Sequence, residues 1–172
     1  PARLTSPSPA IIPVPNMGLR LSYSLADQEF IHTKSLGVWN VSTQLLGHLA
    51  RHPDLEKLTV FTNRTQTELA ALAPKAILEP HNSAIAGKWG RIRWDQWGVY
   101  SAARRSGQPW LFLPKGFASM YRSCPVRLAA YVHDAMHDHY RHAYAHNPLA
   151  REAGYFLRSL RATLRDAEVM FT

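Results

Sequence analysis

The chain has a single cysteine, Cys124, among its 172 residues, so an internal disulfide is excluded and a reducing compartment is expected. No apolar run approaches the roughly 18 residues needed to cross a bilayer as a helix. From Pro1 onward there is no basic-then-apolar secretion pattern either, and a cytoplasmic location is expected. Negative charge is in short supply: 12 Asp and Glu face 20 Lys and Arg, for a formal net charge of +8. That imbalance favours acidic partners, whether nucleic acid, anionic lipid or phosphorylated substrate, without choosing among them. The three-glycine dinucleotide fingerprint, the Gly-x-Ser-x-Gly elbow and the His-Glu-x-x-His zinc motif are all missing, which removes the simplest oxidoreductase, serine hydrolase and metalloprotease readings. With 46% hydrophobic residues, the chain is nevertheless rich enough in apolar side chains to fold around a substantial core.

Five prolines stand within residues 1–17, a leader that can form neither helix nor central strand. Beyond it, strands and helices alternate over residues 18–172. Leu19–Leu25 alternates apolar and polar residues as a first strand. A helix opens at Ser35-Leu-Gly-Val-Trp39, with Val38, Val41, Leu45, Leu46 and Leu49 as its core-facing stripe. Leu58–Thr62 is a second strand. Thr65-Gln-Thr-Glu68 has the form of a capping box opening a short helix. Ala76–Leu78 is a third strand, ended by Pro80, and a longer helix runs from Trp89 to about Arg105 with Gly107 as its stop. Trp110–Leu113 is a fourth strand, closed by Pro114. A final helix carries Ala153, Leu157, Leu160, Leu164 and Ala167 at helical spacing, and a sixth strand begins at Glu168. Such alternation predicts an α/β fold: a Rossmann-like parallel sheet with helices on both faces.

The fifth strand matters most. Residues 128–132 are uncharged and mostly apolar, as in a buried parallel strand, and His133 and Asp134 follow at once. Ligands of open α/β sheets bind outside the carboxyl ends of the strands, so His133 is the leading candidate for chemistry, with Asp134 beside it. Five of the nine histidines fall between 133 and 146. Together with Asp134 and Asp138 they form a usable ligand set for a metal-dependent hydrolase, although their spacing fits no standard zinc signature. Basic residues concentrate at Lys88, Arg91, Arg93, Arg104, Arg105, Lys115, Arg122 and Arg127, with Trp89, Trp94 and Trp97 between them and Asp95 as the lone acid in that window. This pattern suits single-stranded nucleic acid, a membrane surface, or an ordinary solvated helix face with its tryptophans in the core.

Taken together, the Gly37-Val-Trp-Asn helix opening, Trp94-Asp-Gln96, Val132-His-Asp134 and the closing stretch Tyr155–Thr172 resemble the amino-terminal domain of retaining glycosyltransferases of family 4. The likeness spans residues 19–172. It implies one half of a GT-B architecture, in which two Rossmann-like domains face a cleft and a sugar passes from a nucleotide-sugar donor to a glycan or lipid-linked acceptor with retained configuration. By this resemblance His133 hydrogen-bonds the donor sugar at the reaction centre, Asp134 fixes the imidazole, and backbone N–H groups at Gly37 and Val38 approach the donor diphosphate. Arg91, Arg93, Lys115 and Arg122 would meet the acceptor or an anionic surface, with peripheral contact at the inner face of the membrane. No metal or other cofactor is expected. The family often has two glycines where Leu36-Gly37 stands, and its paired-glutamate donor motif and phosphate-binding basic pair belong to a carboxy-terminal domain not contained in residues 1–172. The expectation is therefore that this chain transfers no sugar by itself and needs that domain, or a complementing chain. The rival expectation is a basic α/β module that binds nucleic acid through residues 88–127.

Overall fold

The computed structural model describes residues 18–28, 36–133 and 148–172. The proline-rich leader at 1–17, Asp134 and the remaining histidines of the 133–146 cluster lie outside the described residues.

Six strands form one sheet in the order β3-β2-β1-β4-β5-β6, and every pairing is parallel. They are β1 (Leu19–Ser24), β2 (Leu55–Asn63), β3 (Ile77–His81), β4 (Trp110–Leu113), β5 (Arg127–Tyr131) and β6 (Val169–Phe171). The order reverses between β1 and β4, and the carboxyl ends of strands at such a switch point are where open α/β sheets hold their ligands. Alternation along β4 shows why the sheet is covered on both sides. Leu111 and Leu113 enter one core with Phe61, Tyr100, Leu128 and Ala162, while Phe112 enters the other with Tyr23, Trp39, Leu46 and Val60. One face is therefore covered by α1 (Leu36–Leu49) and α2 (Leu69–Leu72), the other by α4 (Val99–Ser106) and α5 (Pro148–Asp166), while α3 (Lys88–Arg93) leads into α4 without a buried residue of its own. The expected Rossmann-like α/β architecture is the one observed. No helix among the described residues is long and apolar enough to cross a membrane.

Four local expectations are corrected. The capping box does not form: Thr65 donates to Asn63 Oδ1 at 2.5 Å, and α2 begins only at Leu69, with no side-chain cap from Glu68. The Asn63 carboxamide competes successfully for the hydroxyl because it is itself fixed, donating to Ala26 O at 3.0 Å. Pro80 does not end β3 but lies within it, paired with Thr62; β3 is an edge strand, where a missing N–H costs no ladder bond. In α1 the expected stripe is met at Leu46, which is buried, and at Leu45 and Leu49, which pack against the core, but Val38 and Val41 are only half-buried and the other buried positions are Trp39, Ser42 and Gly47. Small residues there let the helix lie close enough for Tyr23 to donate to Ser42 O at 2.7 Å. In α5, Leu157, Ser159, Ala162 and Thr163 are buried whereas Leu164 is exposed. The deciding contacts are polar, since Thr163 Oγ1 donates to Gly116 O and accepts from Ala118 N, both at 2.8 Å.

The long helix from Lys88 to Ser106 is interrupted by a π turn over Trp94–Gly98, closed by the Val99 N–H bonding Trp94 O. Gly98 makes this possible: a Cβ there would stand 2.7 Å from the Trp94 ring. The π turn sends Trp94, Asp95 and Gln96 inward together, and such bulges are frequent at functional sites. At the far end Gly107, at φ 65°, ends α4 as expected.

Candidate functional site

The turn leaving β4 and the residues leaving β5 meet at the carboxyl edge of the sheet. His133 is half-buried, and its Nε2 lies 2.7 Å from Pro114 O. Its ring also meets the Tyr131 ring nearly edge-on, with centroids 4.7 Å apart. The imidazole is thus gripped by the exit of the neighbouring strand as well as by its own.

Next to Pro114, Lys115 does not face an open anionic surface as expected. Its side chain is 18% exposed, and its ammonium is bonded to Asp27 Oδ2, and to Asp95 Oδ1 and Oδ2 at 2.9 and 3.2 Å. Asp27, in the turn after β1, is 1% exposed. Its Oδ1 has no hydrogen-bond partner among the described residues, and neither does the side-chain amide of the adjoining buried Gln28. Two carboxylates and one ammonium therefore stand beside the β1–β4 switch point. Burial pushes the Asp95 carboxyl up to about 6, against the opposing pull of Lys115 and with help from Asp27. Burial disfavours the Lys115 ammonium, but the two carboxylates outweigh it and hold its pKa above the ordinary lysine value. Tyr155 of α5 donates to Asp95 Oδ2 at 3.3 Å, and burial pushes its phenol up to about 12. Gln96 ties the same corner together: its Oε1 accepts from Met120 N at 2.8 Å and its Nε2 donates to Tyr155 Oη at 3.1 Å.

The other candidate residues are spread more widely. Gly37 and Val38 open α1, Gly37 exposed and Val38 half-buried. Nothing lies within 4 Å of a Cβ built on Gly37, and its φ is not positive, so the fold itself does not require glycine there. Gly37→Ala is expected to raise unfolding stability by about 0.5 kcal/mol, read from denaturant melts, because alanine is the better helix former. Arg91 is partly engaged, its Nε donating to Ala86 O at 2.6 Å, whereas Arg93 and Arg122 are exposed. Trp94 is a core residue donating to Ser24 Oγ at 3.0 Å, but Trp89 is 77% exposed, and Trp97 stacks on exposed Tyr121 with rings 5.6 Å apart. A hollow lined by Arg51, Pro53, Leu58 and Lys75 lies at the amino-terminal edge of β2 and β3, away from His133.

No family model, curated protein or solved structure matches the chain.

His133 is legible in the sequence, and so are Lys115 and Asp95 singly, but their pairing is not. Nothing in the periodicity marks Asp27, Gln96 or Tyr155. The one usable signal was Asp95, a lone acid in a basic, tryptophan-rich helix, where a single carboxylate invites a specific cationic partner.

Proposed function

We propose that this chain is the acceptor-side domain of a retaining GT-B glycosyltransferase, transferring a sugar from a nucleotide-sugar to a glycan or lipid-linked acceptor. The observation that carries the reading is His133. It follows β5 at the carboxyl edge of a sheet ordered 3-2-1-4-5-6, with its ring anchored on the β4 exit. Such an edge is where open α/β sheets hold their ligands. An imidazole fixed in this way can hydrogen-bond a sugar as the bond to the departing diphosphate stretches, without reorganising during the reaction. The amino-terminal turn of α1, exposed at Gly37 and half-buried at Val38, is a helix start of the kind that favours anions, and it follows β1 in the chain. The donor side is assigned to a further domain, supplied by the same polypeptide or by another chain.

The test is transfer of labelled sugar from a panel of nucleotide-sugars to glycan and lipid-linked acceptors, by the polypeptide carrying this domain together with its donor domain. His133→Ala is expected to lower kcat by about 100-fold with little change in KM, the effect of losing one placed hydrogen-bonding group. Absence of transfer from every donor, or an unaffected His133→Ala enzyme, would overturn the reading.

A second reading has its own observation. Exposed Trp89, the Trp97–Tyr121 stack and exposed Arg93 and Arg122 are the components of a surface that stacks bases and tracks phosphates. A salt-dependent mobility shift with RNA or DNA, absent with anionic vesicles, would favour a nucleic-acid-binding module.

A further inference from the structure

The turn Pro114-Lys115-Gly116 holds His133 from two sides. Pro114 O takes the hydrogen bond of His133 Nε2. A carbonyl has no proton to give, so Nε2 is the protonated nitrogen, and in the neutral ring Nδ1 is left as the acceptor. Gly116, at φ 69°, lies against the backbone that leads into His133: a Cβ there would stand 2.5 Å from Tyr131 O and 3.3 Å from Val132 Cα. Its own carbonyl is bonded by Thr163 of α5. Between these two contacts is Lys115, whose ammonium is tied to the turn after β1 through Asp27 and to the π turn through Asp95. Asp95 in turn accepts from Tyr155 on α5. Three elements other than β4 therefore fix where this turn lies.

Packing alone does not call for such an arrangement, because apolar residues of similar volume usually serve a core as well as a buried ion cluster does. Buried, pKa-shifted charges are concentrated at functional sites, and here the trio is linked to His133 through the Pro114–Gly116 turn.

We propose that Lys115 is a positioning residue: its ion pairs with Asp27 and Asp95 lock the Pro114–Gly116 turn so that His133 is held as the Nε2–H tautomer, with Nδ1 left to accept from a hydroxyl of the substrate. The catalytic meaning rests on the transferase reading, whereas the tautomer and its dependence on Lys115 do not.

The experiment is long-range proton–nitrogen NMR on the 172-residue chain labelled at histidine, near pH 8.5, where neutral imidazole is populated. His133→Gln identifies the relevant signals among the nine histidines. The unsubstituted protein is expected to show one Nε2–H tautomer at His133 with a slowly exchanging ring proton. In Lys115→Met that proton is expected to exchange with water at least about tenfold faster relative to the Leu128 and Ala130 amides of β5, a comparison that removes any general loss of stability. The nitrogen shifts should move toward tautomer-averaged values at the same time. Should Lys115→Met fail to fold, Asp27→Ala, which removes the acceptor that ties Lys115 to the turn after β1, is read in the same way. A mixed tautomer in the unsubstituted protein, or a folded variant with His133 unchanged against those amides, overturns the proposal. Failure to find sugar transfer would leave this result standing.

Discussion

Lys115→Met is expected to lower unfolding free energy by about 3–5 kcal/mol near pH 8, because it strands two buried carboxylates that share one counter-charge. Methionine keeps the volume of the side chain, so the loss reports charge and not a cavity. The pH dependence has a definite sign. Burial raises the Asp95 carboxyl from 3.8 to about 6 in the folded protein. Between those values the folded state holds a proton that the unfolded state has released, so the Asp95 contribution to stability falls as pH rises through this window. Removing the lysine takes away the main influence lowering the Asp95 pKa, which extends the window upward. The deficit of Lys115→Met is therefore expected to be largest near pH 8 and to shrink as the pH is brought toward 5, as urea melts across that range would show. Asp95→Asn is the informative contrast. Its amide oxygen still accepts from Lys115, and the trio loses its excess negative charge, so the cost is expected to stay under about 1 kcal/mol at neutral pH. Equal losses in the two variants would show that the cluster acts by shape and not by charge.

Gly116→Ala is the second large effect. The backbone there is left-handed, at φ 69°, and a Cβ would meet Tyr131 O at 2.5 Å. Backbone strain and a clash with an unyielding carbonyl together are expected to cost about 3 kcal/mol or more, read from equilibrium unfolding. Any protein that folds must displace the Tyr131–Val132 segment, and His133 moves with it. On the proposed transferase reading, and with a donor domain present, kcat is then expected to fall by about 100-fold, since misplacement on the order of 1 Å is enough for such a loss. Gly107→Ala is the control: its φ is similarly positive, at 65°, but nothing lies within 4 Å of the added carbon. It is expected to cost about 1 kcal/mol and to leave the site untouched.

The strands were readable from sequence because each buried strand of a two-faced parallel sheet is a short apolar run with marked ends. Trp110–Leu113 before Pro114 shows this most plainly. The place of His133 followed from the same logic, since the residue after such a run must emerge at the carboxyl edge. Periodicity was less informative where polar contacts choose the buried face. In α5, Ser159 and Thr163 displace Leu164 from the core because their hydroxyls meet specific partners, which an apolar count cannot register. The charged trio was illegible for a related reason. Asp27, Asp95 and Lys115 are separated by 68 and 20 positions, and only the order of the strands brings them together. The π turn was hidden as well, because one inserted residue leaves the helical pattern of its flanks intact and shows only in the pairing of Trp94 with Gly98.

The two margins of the sheet are not equivalent. On the β3 side, Pro80 removes an amide that an incoming chain would need, so that margin is a poor template for a seventh strand. On the β6 side, Val169, Met170 and Phe171 remain exposed and carry ordinary amides. Growth of the sheet by another strand is therefore one-directional, and it would extend the side that already bears His133.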